Sequence, residues 1–429
     1  MSFNDLIAQP LAINGGPKAV TGTPPSELFH WPIVTDEDIS AVTDVLRAGT
    51  MSATDITRQF ESEFAAWQGT EFALAHNNGT AALLSAMFGV GIGRGDEIIA
   101  PSLTYWASAL PAFNLGASVV FADILPNTIC IDPADIEHRI TARTKAIVVV
   151  HYCGYPCDMD AIMAIAARHN LAVIEDVSHA HGARYKGVQV GKIGHVSAMS
   201  MMSGKSFPAG EAGVLCTNER AIYERAIAFG HYERHGDSLT LPELVALRGL
   251  PLGGFKQRII QTASAMARVQ LRHYDERMGE IQCALNRFWD LLEGTPGLVA
   301  HRPPKDSGST MGGWYNPVGI YQPEALGGLP LSRFIEAVNA EGGICGRGIN
   351  APLHLHPVFN EADIYGDGVP TRNAFADRDL RQPAGSLPVA ETIGERTLGI
   401  PYFKHDWAEW IEPYAAAFRK VATQASQLL

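Results

Sequence analysis

Cysteine is scarce in this chain, with six in 429 residues. That is too few for the disulfide framework that staples small secreted domains. Positive charge is also in deficit, 33 Lys and Arg against 45 Asp and Glu for a net charge of −12. Such a balance disfavours sequence-independent binding to nucleic acid or to an anionic membrane, while leaving room for a local anion site. No uncharged apolar run approaches the roughly 20 residues that cross a bilayer. The opening Met1-Ser2-Phe3-Asn4-Asp5-Leu6-Ile7 has no basic stretch leading into an apolar core, so no secretory signal is expected. A reduced, cytoplasmic protein with no nucleic-acid and no membrane partner is the expectation. Internal repeats and low-complexity segments are missing as well.

What is present is core material: 46% hydrophobic residues in a length that suits two compact units sharing a cleft. Between about 70 and 230, short apolar runs alternate with helical spacing. Glu97–Ala100, Ser118–Phe121, Ala146–Val150 and Leu171–Ile174 read as buried strands, with further strands at Ala198–Met202 and Gly213–Cys216. Helices are expected at Ala107–Leu115, Pro133–Ile140, Met159–His169 and Glu219–Ala228. This alternation predicts an α/β fold with a mostly parallel central sheet flanked by helices. Glu233–Gly254, rich in Gly, Pro and polar residues, reads as a connecting excursion. A helix near Ile259–Leu292 leads into a smaller C-terminal α+β domain with helices near Leu331–Ala340 and Trp407–Ala425. The expected division is 1–270 and 271–429.

Two patterns carry no ligand site. Gly89-Val90-Gly91-Ile92-Gly93-Arg94-Gly95 lacks the third glycine of a dinucleotide loop at the required position and follows a helix, so it reads as a turn. His151, Cys153 and Cys157 have no second Cys/His pair at ligand spacing, and a structural zinc site closes with four ligands. No metal is expected.

The chemistry lies elsewhere. Asp176 ends the apolar run Ile174-Glu175-Asp176 at the carboxyl edge of the sheet, where open α/β sheets bind ligands. Lys205 follows another strand within the uncharged setting Met201-Met202-Ser203-Gly204 and Ser206-Phe207-Pro208, where desolvation lowers an amine pKa. A lysine amine that condenses with an aldehyde, and a carboxylate that keeps a pyridine nitrogen protonated, are what pyridoxal 5′-phosphate requires. Asn77-Asn78-Gly79-Thr80 opens a helix with small polar residues, which reads either as a simple N-cap or as an anion site. Ser200 is a candidate phosphate donor. His179 is placed to reach a cofactor oxygen, and equally suits an ordinary loop histidine. Tyr105 or Trp106 suits ring stacking or interface filling. For an acceptor substrate, His231, Arg234 and His235 are candidates, as are His354 and His356, whose alternation with leucine also fits a strand with a polar face.

In order along the chain stand Phe60-Glu61, Asn78-Gly79-Thr80-Ala81-Ala82-Leu83, Gly95-Asp96-Glu97-Ile98-Ile99-Ala100-Pro101-Ser102, His151 through Asp158-Met159-Asp160, Ile174-Glu175-Asp176, Ser200 to Lys205, Gly210-Glu211-Ala212-Gly213 and Leu387-Pro388-Val389-Ala390-Glu391. Together they resemble the DegT/DnrJ/StrS aminotransferases, fold-type I pyridoxal phosphate enzymes that aminate keto-sugars and keto-cyclitols. The resemblance implies Lys205 as the Schiff-base lysine, Asp176 as the pyridinium partner, His179 near the phenolic oxygen and Tyr105 at the ring. It implies Gly79, Thr80 and Ser200 at the phosphate, and Lys256, in Phe255-Lys256-Gln257-Arg258, reaching across a homodimer interface to the neighbouring phosphate. Met201, Met202 and Gly204 depart from the residues common before the lysine, and Ala212 from the usual glycine. Retention of Lys205 separates the chain from the family's sugar dehydratases, which carry His there. The implied activity is amino transfer from glutamate or glutamine to a keto-sugar, nucleotide-linked, with a keto-cyclitol of the scyllo-inosose type as the alternative. Such a role belongs to amino-sugar, antibiotic or polysaccharide biosynthesis. A cofactor-binding regulatory protein without turnover is the alternative of a different class.

Overall fold

The computed structural model describes residues 2–429. Its central sheet has seven strands: β1 (Phe72–His76), β2 (Glu97–Pro101), β3 (Ser118–Ala122), β4 (Thr144–Val150), β5 (Ala172–Asp176), β6 (Val196–Ser200) and β7 (Gly213–Thr217). They lie in the order β1-β7-β6-β5-β4-β2-β3. All pairings are parallel except those of β7, which runs against both its neighbours. Alternate residues serve opposite faces, as the two-residue period of a strand requires. Ile98, Val119, Val148 and Ile174 pack with the helices Gly79–Gly89 and Arg220–Gly230. Ile99, Val120, Ile147, Val149 and Val173 pack with Pro133–Arg139 and Met159–His169. A parallel sheet covered on both faces explains the near-continuous Val/Ile runs.

The smaller unit is built on an antiparallel sheet, β8 (Leu298–Ala300), β9 (Val318–Tyr321), β10 (Gly346–Arg347) and β11 (Thr397–Gly399), in the order β8-β9-β11-β10. Helices Leu331–Ala340 and Ala408–Thr423 pack beside it. The helix Gln261–Leu291 joins the two units without a break, and the boundary expected at 270 falls inside it.

The expected α/β architecture is therefore what the chain forms, with local corrections. The strand expected at Ala198–Met202 begins and ends two residues earlier. It stops at Ser200 because the chain turns there, the Lys205 N–H closing onto the Met202 carbonyl at 2.8 Å. The segment Ala107–Leu115 forms two short 3₁₀ turns, Trp106–Ser108 and Leu110–Leu115, rather than one helix. Pro111 lacks the N–H that an α-helical ladder needs at that point. The strand β1 escaped the sequence pattern, since Phe-Ala-Leu-Ala-His is short and rich in alanine, a poor strand signal.

Candidate active site

A cavity of about 500 Å³ opens at the carboxyl ends of β1, β2, β5 and β6, with the smaller unit as its opposite wall. Asp176, the last residue of β5, lies at its base and is 4% exposed. Its Oδ2 accepts from Ser108 Oγ at 2.7 Å and its Oδ1 from the Ser178 N–H at 3.0 Å. The carboxylate is thus aimed by two fixed donors.

The base of the site is held by its neighbour. Glu175 is fully buried, facing the other way, and accepts the N–H groups of Gly191, Ile193 and Gly194 at 2.7, 2.8 and 2.6 Å. His151 Nε2 donates to it at 3.0 Å, while the Cys157 N–H donates to His151 Nδ1 at 3.0 Å. Burial opposes ionisation of Glu175, but these hydrogen bonds outweigh it and hold the carboxyl below its ordinary value. His151 and Cys157 are accordingly parts of the scaffold behind β5.

Lys205 lines the same cavity and is 8% exposed. Burial lowers its amine to about 8, against the opposing pull of the Asp176 charge. Its Nζ lies 4.0 Å from the centre of the Tyr315 ring. Its carbonyl accepts the Trp31 indole N–H at 2.8 Å. The backbone is thereby pinned from both sides of the residue.

The helix Gly79–Gly89 begins at the cavity. Asn78 caps it, its Oδ1 accepting the Ala81 N–H at 2.8 Å. The first-turn N–H groups of Gly79 and Thr80 have no intrahelical acceptor and carry the positive end of the helix dipole. A Cβ on Gly79 would lie 2.6 Å from Ser200 Cβ, so the helix start and β6 approach more closely than any other residue allows. Ser200 sits beside this start, its N–H donating to Ser178 Oγ at 2.9 Å. His179, 7% exposed, receives the Cys153 N–H on Nδ1 at 3.3 Å and packs 4.5 Å from the Tyr315 ring. Burial, followed by the Lys205 charge, pushes its pKa well below the ordinary value, so the imidazole is neutral. Tyr105 lines the cavity and is half exposed, 5.0 Å from Trp106.

Seven of the eight expected site residues therefore face one cavity: Gly79, Thr80, Tyr105, Asp176, His179, Ser200 and Lys205. Lys256 does not; it is exposed, outside the cavity of its own chain. The acceptor candidates are also elsewhere. His231 and Arg234 are buried against β1, Arg234 forming a bidentate pair with Glu61 at 2.6 and 2.9 Å. His235 is buried on the Ile227 carbonyl, and His354 is fully buried between Ser102 and Glu391. His356 is exposed and caps a short turn through Val358. Structural contacts account for Arg234, His235, His354 and His356, while His231 is buried edge-on to the His76 ring, 3.5 Å from Glu233 and without a hydrogen bond on either ring nitrogen among the described residues. Sequence reading missed Trp31, Ser108, Tyr315, Arg347 and Asn350, of which the last three come from the smaller unit.

The residues fit pyridoxal 5′-phosphate: a helix start with unpaired N–H groups for a phosphate dianion, a buried oriented carboxylate, and a buried amine of lowered pKa. Fold and site together define a fold-type I pyridoxal-phosphate-dependent aminotransferase. The DegT/DnrJ/EryC1/StrS aminotransferase family matches residues 32–405, and the chain belongs to that family. It is 34% identical over 381 residues to the spore coat polysaccharide biosynthesis protein SpsC of Bacillus subtilis, covering 87% of this chain and 92% of that one. Its identity to an L-glutamine:2-deoxy-scyllo-inosose aminotransferase of Streptoalloteichus tenebrarius is also 34%, over 90% of this chain and 91% of the relative. Among solved structures, the aminotransferase from Psychrobacter cryohalolentis superposes with a TM-score of 0.78 at 32% identity, covering 93% of this chain and all of that one.

Proposed function

We propose that this aminotransferase moves the amino group of glutamine or glutamate to the ketone of a free polyhydroxylated ring, a keto-cyclitol. The observation that carries the reading is the shared cavity of Lys205, whose amine is brought to about 8, and the doubly anchored Asp176. Several relatives named as L-glutamine:2-deoxy-scyllo-inosose aminotransferases, and one named as an L-glutamine:scyllo-inosose aminotransferase, at 30–34% identity over 90–98% of the chain, support the acceptor class. A nucleotide-linked keto-sugar is the second reading, favoured by the similarity to a polysaccharide biosynthesis protein.

When bound, pyridoxal phosphate supplies an electron sink and carries the amino group between donor and acceptor. Lys205 would hold it through Nζ, and its amine, when free, would be placed to take up the proton from the donor's Cα. Asp176, its oxygens held by Ser108 and Ser178, would keep the pyridine nitrogen protonated. Gly79, Thr80 and Ser200 would hold the phosphate, His179 would donate to the phenolic oxygen, and Tyr105 would contact the ring. Arg347, exposed on the opposite wall and paired with Glu395 at 2.8 Å, offers its guanidinium to the donor carboxylate. Residues 1–270 and 271–429 supply the two walls. Leu250, Leu252, Phe255 and Ile260, all exposed, flank Lys256 in the sequence, which suits a homodimer in which Lys256 of one protomer reaches its partner's phosphate.

The test is spectroscopic. Purified protein loaded with pyridoxal phosphate is expected to absorb near ~420 nm, to lose that band with L-glutamine or L-glutamate, and to regain it with scyllo-inosose. A band that persists in Lys205→Ala overturns the lysine assignment. Recovery with a nucleotide-linked 4-keto-sugar alone selects the second reading, and recovery with neither refutes both.

A further inference from the structure

The wall opposite Asp176 ends in a side chain whose orientation is fixed and whose donors are free. Asn350 lines the cavity and is exposed. The Tyr152 hydroxyl donates to its Oδ1 at 2.6 Å, and the Asn350 backbone N–H donates back to the same phenol oxygen at 3.1 Å. Because the phenol proton must go to an acceptor, the amide cannot flip without losing this bond. Oδ1 is committed to Tyr152 and the two Nδ2 hydrogens point away from it, with no acceptor among the described residues. Tyr152 is 1% exposed, and burial raises its phenol well above the ordinary value, so it remains a donor throughout the neutral range.

The segment carrying Asn350 is itself seated firmly. Asn316 Nδ2 donates to the Gly348 carbonyl. A Cβ on Gly348 would lie 2.6 Å from Val318 Cγ1, so the backbone passes directly against β9. Trp314 and Asn316 adopt positive φ of 50° and 52°, a conformation costly for such residues and kept only where the surroundings impose it. Tyr152 also packs 5.3 Å from His179, which links the amide to the opposite wall. A neutral, preoriented double donor suits uncharged hydroxyl oxygens, whereas the donor's carboxylate is better served by the neighbouring Arg347 cation.

We propose that Asn350, positioned by Tyr152, determines acceptor specificity by donating from Nδ2 to a hydroxyl oxygen of a polyhydroxylated ring. The inference rests on the amino-acceptor reading above. A site built to hydrogen-bond a hydroxyl discriminates strongly against rings that lack it, because its own polar group is then left unpaired.

Two measurements on the pyridoxal-phosphate-loaded enzyme test it. Calorimetric binding of scyllo-inositol, which has no ketone to react, is expected to weaken about tenfold or more in Asn350→Ala. Tyr152→Phe, which frees the amide to flip, is expected to weaken it by a smaller factor. In the kinetic arm, Asn350→Ala lowers kcat/KM for scyllo-inosose about tenfold to a hundredfold, while L-glutamine bleaches the ~420 nm band at the wild-type rate. Equal losses in both half-reactions, or unchanged polyol binding and unchanged acceptor kinetics, overturn the proposal. Should wild type aminate only a nucleotide-linked keto-sugar, the cyclitol reading fails while the same expectation for Asn350 is read on that acceptor. Amination of neither sinks both.

Discussion

Replacing Gly79 by alanine sets two effects against each other. Alanine is the better helix former, by up to about 1 kcal/mol in a helix interior and less at a first turn. The added Cβ, however, would meet Ser200 Cβ at 2.6 Å, Ser200 Cα at 2.7 Å and the Ser200 nitrogen at 3.0 Å, against a comfortable carbon separation of about 3.5–4.0 Å. Two of these three atoms are backbone, so no rotamer change clears them; the helix start must move off β6. Overpacking of this kind costs about 1–3 kcal/mol, which leaves Gly79→Ala less stable by about 1–2 kcal/mol. The same displacement pulls the Gly79 and Thr80 N–H groups from their positions, so pyridoxal phosphate affinity is expected to fall at least tenfold. Urea unfolding of the apoprotein and cofactor titration read the two consequences separately. Ser200→Gly in the same chain removes only the Cβ contact and rescues less than half of the loss. Gly204→Ala is the matched control: there the nearest atom is the mobile Met202 Cε at 3.2 Å, and stability and the ~420 nm band are retained. A Gly79→Ala protein with wild-type stability and cofactor affinity refutes the close-approach argument.

Lys205→Met is expected to stabilise the apoprotein at pH 7. The folded-state amine is depressed to about 8 from 10.5, so below pH 8 the wild type buries a charge it would hold more easily when unfolded. The gain is about 3 kcal/mol at most and fades between pH 8 and 10.5, where only the unfolded state still binds the proton; a gain that grows across that range in urea titrations contradicts the burial effect. Glu175→Gln substitutes an amide donor for an oxygen among four donors and is expected to cost about 3 kcal/mol at neutral pH. Because the carboxyl is held below its ordinary value, the difference from wild type shrinks as the pH falls below 4.5, which acid unfolding curves will register. Lys256→Ala is expected to weaken cofactor binding, and mixing it with Lys205→Ala chains is expected to regain part of the activity. Absence of any recovery in refolded mixtures argues against a shared site.

The large sheet was legible because parallel strands buried on both faces must be apolar throughout, and Ile-Val-Val-Val runs bounded by turns have few other uses. The cavity face was legible for a related reason. Asp176, Ser200 and Gly79 are each adjacent in sequence to the strand that places them, so local pattern carried tertiary position. Where placement depends on distant chain, the pattern was silent. Trp31 reaches the Lys205 carbonyl across 174 positions and Tyr152 reaches Asn350 across 198, and neither pair has a spacing that marks it. The histidine-rich segment near Phe229–Gly236 shows the converse error. Titratable residues in a polar stretch suggested a ligand surface, yet Arg234 turns inward to Glu61, whose Oε1 also accepts the Ala75 N–H at 2.7 Å. Two residues read separately are one buried ion pair that fixes β1, and with it the start of the helix Gly79–Gly89.

The residues before Lys205 that depart from the family pattern also have a common physical account. Met202 supplies two acceptors to the turn: its carbonyl takes the Lys205 N–H at 2.8 Å and its thioether sulfur takes the Gly204 N–H at 3.0 Å. A Cβ at 204 would lie 3.2 Å from Met202 Cε and 3.5 Å from its sulfur, contacts that the flexible thioether can absorb by a small shift. With the Trp31 indole on the Lys205 carbonyl, the turn is fixed without the side chains usual at these positions. Met202 also lines the cavity, where a flexible apolar thioether leaves the space beside the lysine adaptable. Lys205 and Asp176 keep anchors of their own, the Trp31 indole on one and Ser108 with the Ser178 N–H on the other, apart from the Met202 side of the cavity. That separation lets a chain keep the chemistry of its family while the wall bearing Asn350 selects what is aminated.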